Sequence, residues 1–319
     1  MTTNHQDDRC RPESLDRLDV VVVVHRCAPS LVDRSFAALH EALGDRWQGR
    51  LVVVENRPAP ATSAAARKAA RRFSAATVVI VRCRRNLGFG GGVNLGVSRT
   101  TAPFVGTFNP DGVARPDTVH LLVDALERDA DAFMAGPRIA PPVKSAPPAP
   151  APPAAPVEVV DFVPGTAVVF RRDRFLDLGG FDPLYFMYME DTDLSLRARQ
   201  RWHLLHVPAA VFHHGRPARR WAELPRARQW TVSAMSFTYR WRRTRRGAIV
   251  VLSWKRTSAL IRLARQRSWV RLAGTTMGLL AWPARLPRAE RRRQHPWSTQ
   301  SLERWLASVA PLVAEKRAR

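Results

Sequence analysis

Asp19-Val20-Val21-Val22-Val23-Val24-His25 is the stretch from which the architecture is read. The run Val20–Val24 is β-branched and uncharged, which predicts a strand buried on both faces, as strands of a parallel sheet are. The pattern repeats outward from it. Ser30 is placed to cap a helix in which Phe36, Leu39 and Leu43 share one face. Leu51–Val54 predicts a second buried strand, an Ala-rich helical stretch follows, and Thr77–Val81 predicts a third strand. Gly88–Gly92 breaks the pattern before a short helix through Asn94–Ser98. Pro103–Phe108 predicts a fourth strand, ended by Asn109-Pro110-Asp111, and Pro116 suits the first turn of a helix to about Arg128. Strand and helix alternating at this spacing predict a doubly wound α/β half.

Beyond it, residues 141–157 are Pro/Ala low complexity, expected to form an extended loop or linker. Asp161–Phe170 resumes strand character, Asp191–Arg201 reads as a helix, and Leu204–Val207 and Ala210–Phe212 are two further apolar stretches before His213-His214-Gly215.

The net charge of +24 is unevenly placed along the 319 residues. From Gly215 onward there are 25 Lys or Arg against four acids, Glu223, Glu290, Glu303 and Glu315, so residues 1–214 are nearly neutral. This basic tail interleaves Arg clusters with Trp221, Trp230, Trp241, Trp254, Trp269, Trp282, Trp297 and Trp305. No stretch reaches the about 18–20 apolar residues of a membrane span, and Leu272–Trp282 is too short. An amphipathic segment at an anionic membrane surface is expected instead. Cys10, Cys27 and Cys83 are odd in number and lack metal-ligand spacing, which suggests a reducing compartment. The N-terminal stretch, with Asp7, Asp8 and Glu13, is not patterned as a secretory signal.

Four motifs carry chemistry. Arg85-Asn86-Leu87-Gly88-Phe89-Gly90-Gly91-Gly92-Val93-Asn94 is a Gly-rich loop before a helix, which lets backbone amides approach an anion. A turn that needs glycine only for positive φ angles fits it equally well. Asn109-Pro110-Asp111 ends a buried strand, where open α/β sheets bind ligands and one carboxylate can hold Mg²⁺ or Mn²⁺. It is also good chemistry for a plain Asx turn. Glu190-Asp191-Thr192-Asp193 follows Gly179-Gly180-Phe181-Asp182 and an aromatic run. A helix cap explains one of these acids, but three acids in four residues ask for a general base beside a metal-diphosphate site. His213-His214 supplies the fourth element.

In this order the motifs resemble glycosyltransferase family 2, inverting enzymes of GT-A fold, and in particular its rhamnosyltransferase-like branch. The resemblance covers roughly Asp19 to Gly215 and includes Val54-Glu55-Asn56. It implies a Rossmann-like, mostly parallel α/β sheet with flanking helices over residues 19–215, a flexible N-terminus over 1–18, and a basic, mainly helical extension over 216–319. By position it implies that Asp191 is the catalytic base, with Glu190 beside it in the catalytic site to position the acceptor or the helix. His25, Glu55, Asn86, Gly88, Asn94, Asn109 and Asp111 would hold the nucleotide-sugar, and Asp111 and His213 the metal, with the choice between His213 and His214 open. Glu55 stands where the family has Asp, His25-Arg26 where it has Tyr-Asn, and Arg216-Pro217 where small residues are common. The implied reaction moves a sugar, with dTDP-rhamnose the first candidate donor, to a glycan or polyprenyl-diphosphate-linked acceptor on the cytoplasmic face of the membrane. A sugar nucleotidyltransferase would carry a Gly-rich signature directly after the first strand, where His25-Arg26-Cys27 stands. A nucleic-acid-binding protein would explain the tail but not the acids at 111 and 190–193, and no nucleic-acid partner is expected.

Overall fold

The computed structural model describes residues 13–142, 155–215, 223–242 and 268–317. Ten strands form one sheet: β1 (Leu18–Val24), β2 (Arg50–Asn56), β3 (Thr77–Cys83), β4 (Phe104–Phe108), β5 (Gly112–Ala114), β6 (Ala132–Ala140), β7 (Glu158–Val159), β8 (Ala167–Arg171), β9 (His203–His214) and β10 (Val313–Arg317). Their spatial order is β10-β3-β2-β1-β4-β8-β6-β9-β5, with β7 on β9. The run β3-β2-β1-β4 is parallel, while β8 enters antiparallel between β4 and β6. This is the mostly parallel α/β sheet that the alternation of motifs predicts.

The valine run behaves as its composition demands. Val20, Val22 and Val24 belong to the apolar layer that also holds Phe36, Leu39 and Leu43 of α1 (Pro29–Leu43), and Val21 belongs to the opposite layer. Asp19, the one acid in β1, is buried. Its carboxylate accepts from the backbone N–H of Arg50, Thr101 and Ala102, which ties β1 to the start of β2 and the approach to β4.

Three local expectations shift. Helix α1 starts at Pro29 with Ala28 before it, so the fixed proline φ takes the place of the Ser30 cap. The glycines at 88–92 do not break a helix; they open one, α3 (Gly88–Val97). A Cβ on Gly92 would lie 2.7 Å from Val23, and one on Gly96 2.3 Å from Val21, so glycine lets α3 lie directly on the sheet. The apolar stretches 204–207 and 210–212 are one strand, β9, with a register shift opposite Pro137/Arg138. Most of the Pro/Ala stretch (143–154), the start of the N-terminal segment (1–12), and Trp221 and Trp254 lie outside the described residues.

Two helices flank the sheet on the α1 side: α2 (Pro60–Ala70) and α4 (Thr118–Arg128). On the α3 side lie α5 (Arg172–Asp177) and α6 (Glu190–Ala198). The basic tail supplies α7 (Glu223–Trp241), α8 (Trp269–Ala281), α9 (Leu286–Gln294) and α10 (Thr299–Val309). Charge changes at residue 215, but packing runs across that point. Strand β10 pairs antiparallel with β3, Trp305 packs on Gly91, and the Trp297 indole donates to the Gly179 carbonyl.

The strongest tie is Arg240 on α7. Its guanidinium is buried, 2.8 Å from both Asp182 Oδ2 and Asp193 Oδ1. Arg292 of α9 reaches Asp182 at 3.1 Å, Arg197 reaches Asp193 at 2.9 Å, and the Trp241 indole donates to Asp193. Burial opposes the charge on Arg240, but Asp193, Tyr185 and Asp182 outweigh it and raise its pKa. Removing one partner of such a buried cluster strands the others in a low dielectric, so Arg240→Ala is expected to cost about 3–5 kcal/mol. Urea unfolding reads this as a lowered midpoint, with a larger loss at pH 8 than at pH 5, because burial already raises the Asp182 pKa and protonation relieves its stranded charge. A loss under about 1 kcal/mol, in the range of surface pairs, would show the cluster to be solvated.

Candidate active site

A cleft of about 710 Å³ opens at the carboxyl ends of β1, β2 and β4, where a doubly wound sheet presents its ligand site. His25, Asn86, Gly88, Asn109, Asp111, Glu190 and Asp191 all line it. Three other expected residues do not.

One wall is a hydrogen-bond network centred on Asn56. Its amide donates to Asn86 Oδ1 (3.0 Å) and the Gly88 carbonyl (2.9 Å), and its Oδ1 accepts from Leu87 N–H (2.8 Å). Asn86 Oδ1 also accepts from Gly88 N–H. His25 Nδ1 lies 2.8 Å from the Asn56 carbonyl and 2.9 Å from that of Arg57. Both are acceptors, so Nδ1 carries the proton, and Nε2 accepts from the Asn86 amide at 3.2 Å. Gly88, at φ +78°, is required at this turn: a Cβ there would stand 2.0 Å from the Phe186 carbonyl.

Glu55 points the other way. It is fully buried against Arg67 (2.7 and 2.8 Å) and Ser63 on α2. Burial pushes its carboxyl up, but the hydrogen bonds from Arg67 and Ser63 prevail and lower it. The neighbour that faces the cleft is Asn56, which the sequence reading passed over. The signal was available: alternation puts Val52, Val54 and residue 56 on the face that carries α3, and Val53 and residue 55 on the other. Asn94 likewise lies outside the cleft. It clamps α3 to the Gly-Gly-Phe-Asp segment, donating to the Phe181 carbonyl and accepting from Phe181 N–H.

The same alternation decides between the two histidines. His213 turns to the Pro141 carbonyl at 2.8 Å, whereas His214 Nε2 stands 3.3 Å from Asp111 Oδ1 and lines the cleft. The residue beside Asp111 is therefore His214 and not the expected His213. Ligands at about 2.1 Å on adjacent positions of a small octahedral cation sit about 3 Å apart. The Asp111–His214 separation fits that arrangement. Among the described residues no group of three or more His, Cys, Asp and Glu assembles, so this pair would leave the remaining positions to substrate phosphate and water.

Glu190 and Asp191 begin α6 under constraint. Tyr188 and Met189, directly before them, both hold left-handed backbone (φ 69° and 72°), a conformation that costs about 1–3 kcal/mol per residue unless its surroundings enforce it. They are enforced here from two sides. Phe89 N–H of α3 donates to the Phe186 carbonyl, and Ser233 Oγ of α7 donates to the Met187 carbonyl. Asp191 Oδ2 accepts from Gly165 N–H (3.1 Å) and Oδ1 from Thr192 N–H (2.8 Å). Burial raises the Asp191 pKa, and these donors oppose the rise. Glu190 is helped only by a backbone N–H, its own. Burial, then the charge of Asp191, push it up to about 8. Both acids are thus raised, Asp191 against the pull of Gly165 and Thr192 and Glu190 with the charge of Asp191 adding to its burial.

A mostly parallel sheet with a cleft at its strand ends is the arrangement of a GT-A fold, and here that cleft holds Asp111 beside His214 together with Asp191. Residues 19–171 match the family described as Glycosyl transferase family 2, and residues 154–286 match Glycosyl transferase family group 2. The N-acetylglucosaminyl-diphospho-decaprenol L-rhamnosyltransferase of Mycobacterium tuberculosis is 27% identical over 242 residues, covering 62% of this chain and 76% of that protein. Among solved structures, the mannosyltransferase PcManGT from Pyrobaculum calidifontis, in complex with GDP-Man and Mn²⁺, has a TM-score of 0.54 at 15% identity, covering 88% of this chain and 87% of that one. GalNAc-T7 with UDP, GalNAc and Mn²⁺ has a TM-score of 0.55 at 14% identity; 68% of this chain is covered, which spans 47% of the GalNAc-T7 chain. With these two family matches spanning residues 19–286, the chain belongs to glycosyltransferase family 2 and is a glycosyltransferase, similar in sequence to that rhamnosyltransferase.

The raised Glu190 has a linked effect on stability. Its unfolded carboxyl titrates near 4.5 and its folded one near 8, so the unfolded chain binds fewer protons between these values and stability falls as pH rises through the window. Glu190→Gln, which mimics the neutral form, is expected to be more stable than wild type by a gain growing to a few kcal/mol between pH 5 and pH 8, measured by urea unfolding at both. An equal difference at the two pH values would show that Glu190 ionises normally in the fold.

Proposed function

We propose that this glycosyltransferase moves a sugar, with dTDP-rhamnose the first candidate donor, to a hydroxyl of a glycan carried on a polyprenyl diphosphate, with inversion and dependence on Mg²⁺ or Mn²⁺. The observation that supports it most is the sharing of one cleft by Asp191 and the Asp111–His214 pair. The name of the M. tuberculosis relative supplies the rhamnosyl unit and the lipid-linked acceptor as candidates.

The acceptor hydroxyl gives its proton to Asp191 and attacks the anomeric carbon from the face opposite the leaving diphosphate. Gly165 and Thr192 N–H groups hold the Asp191 carboxylate in place for that transfer. Glu190, neutral beside it, keeps a second negative charge away from the attacking oxygen. His25, Asn86, Gly88 and Asn109 line the donor side of the cleft. A divalent cation held by Asp111 and His214 would neutralise charge developing on the diphosphate. Neither Glu55, spent on Arg67, nor Asn94, spent on Phe181, is assigned to the donor.

The setting proposed for the reaction is a membrane surface on the cytoplasmic side. Among the described residues no helix is long and apolar enough to cross a membrane. Helix α8 instead presents Trp269, Met277 and Leu280 outward, 61%, 45% and 75% exposed, with exposed Ala273 and Thr276 on the same face. Gly274 and Gly278 turn inward onto α7, where a Cβ would meet the backbone of Leu224 and Arg228. An apolar helical face within a strongly basic region suits an anionic bilayer interface.

Asp191→Asn is expected to lower kcat by about 10²–10⁴-fold while nucleotide-sugar affinity, read by calorimetry, stays within a few-fold. Because the Asp191 pKa is raised, the acidic limb of the wild-type kcat profile should lie above the ordinary aspartate range. In the same series His214→Ala should raise the metal concentration needed for half-maximal rate more than His213→Ala does. Full turnover by Asp191→Asn removes Asp191 as base, and equal metal dependence in the two histidine variants removes His214 as ligand. For the membrane, Trp269→Glu with Leu280→Glu should sharply reduce sedimentation with vesicles of phosphatidylglycerol, and undiminished sedimentation would assign binding to another surface.

A further inference from the structure

Helix α7 lends two side chains to the cleft, Arg226 and Trp230, although it follows the family motifs in sequence. With Ser233 and Arg240 they fall at i, i+4, i+7 and i+14, one face of the helix. Ser233 bonds the Met187 carbonyl, and Arg240 is buried between Asp182 and Asp193. That face is therefore fixed against the segment that delivers Asp191, and Arg226 and Trp230 stand on its continuation.

Trp230 is 51% exposed and Phe162, on the loop that leads to Gly165, is 42% exposed. Two exposed aromatic side chains, in a cleft whose lining mixes apolar residues such as Phe89 and Met187 with Asn, His and acids, offer a ligand an apolar surface to cover. The C–H face of a pyranose ring is such a surface, and rigid aromatic rings offer it contact area at low entropic cost. Arg226 adds a planar fork suited to phosphate oxygens, about one helical turn from Trp230. It comes from a different element than Asp111 and His214 and reaches the same cleft.

We propose that Arg226, Trp230 and Phe162 form the acceptor subsite, with the aromatic rings on the acceptor sugar and the Arg226 guanidinium on the diphosphate that links this sugar to its carrier. The assignment rests on the transfer chemistry proposed above for Asp191. It explains why helix α7 is pinned to the turn before Asp191: the residues that grip the acceptor are held in register with the base that deprotonates it.

The test uses the full chain and two acceptors, N-acetylglucosaminyl diphosphate carrying a short alkyl chain and the alkyl N-acetylglucosaminide without phosphate. Wild type should prefer the diphosphate through a lower KM. Arg226→Gln should raise the diphosphate KM about tenfold, the loss of one charge-assisted contact, and largely erase the preference, while the donor KM moves less than twofold. Arg226→Lys should recover part of it. Trp230→Ala should raise KM for both acceptors alike, and Trp230→Phe should restore much of the loss. Retained preference in Arg226→Gln, or a donor KM that rises in step, overturns the assignment. Wild-type protein that hydrolyses a nucleotide-sugar but glycosylates neither acceptor also overturns it and leaves the transferase function standing. Protein that neither hydrolyses nor transfers any nucleotide-sugar removes both.

Discussion

Two carboxylates, Asp182 and Asp193, meet in the interior of this protein, and the fold is organised around neutralising them. Each belongs to an acidic motif next to the cleft, yet both turn away from it and are fully buried. Ionised carboxylates are tolerated in such a place only when paired and hydrogen-bonded. The cation between them, Arg240, comes from the basic tail, and Arg292 from later in the same tail adds a second. The tail is therefore part of what makes helix α6 foldable, whatever else its charge does at a surface. Positive charge concentrated after residue 215 has a structural use inside the molecule as well as a proposed one outside it.

Next to this cluster sits a strained turn. Tyr188 and Met189 hold left-handed conformations immediately before Glu190. The strain is borne because α3 and α7 grip the turn from opposite sides, through Phe89 and Ser233. Its product is a helix start where two neighbouring acids face different environments. Asp191 meets the N–H groups of Gly165 and Thr192; Glu190 is buried beside its neighbour's charge. A rigid brace in one place thus sets the protonation of groups in another.

Much of the sheet could be read directly from the chain, because strands buried on both faces leave runs of β-branched residues that nothing else imitates. The cleft was half legible for a related reason. Motifs at strand ends can be located to within a residue or two, but a strand sends neighbouring side chains to opposite faces. That single-residue parity separates Asn56 from Glu55 and His214 from His213. For the histidines parity comes from pairing with β5, where His214 lies opposite Gly112 and His213 opposite Val113, and register of that kind is not written in either strand alone. The glycines of α3 were misleading for the opposite reason. By propensity they end helices; here the close approach to Val21 and Val23 overrides propensity. The Arg240 contacts had no periodic signature at all, since they join α7 to residues far earlier in the chain.

The pairing of Val313 with Cys83 through β10 and β3 has a bearing on biosynthesis. During translation the parallel core can collapse as soon as its own strands are complete, but the outer edge of β3 stays unpaired until the ribosome has passed residue 317. An open edge strand rich in valine and isoleucine invites pairing with other chains, and closing so long a loop is slow. Arg82 and Thr77, the exposed residues of β3, place polar groups along that strand during the wait.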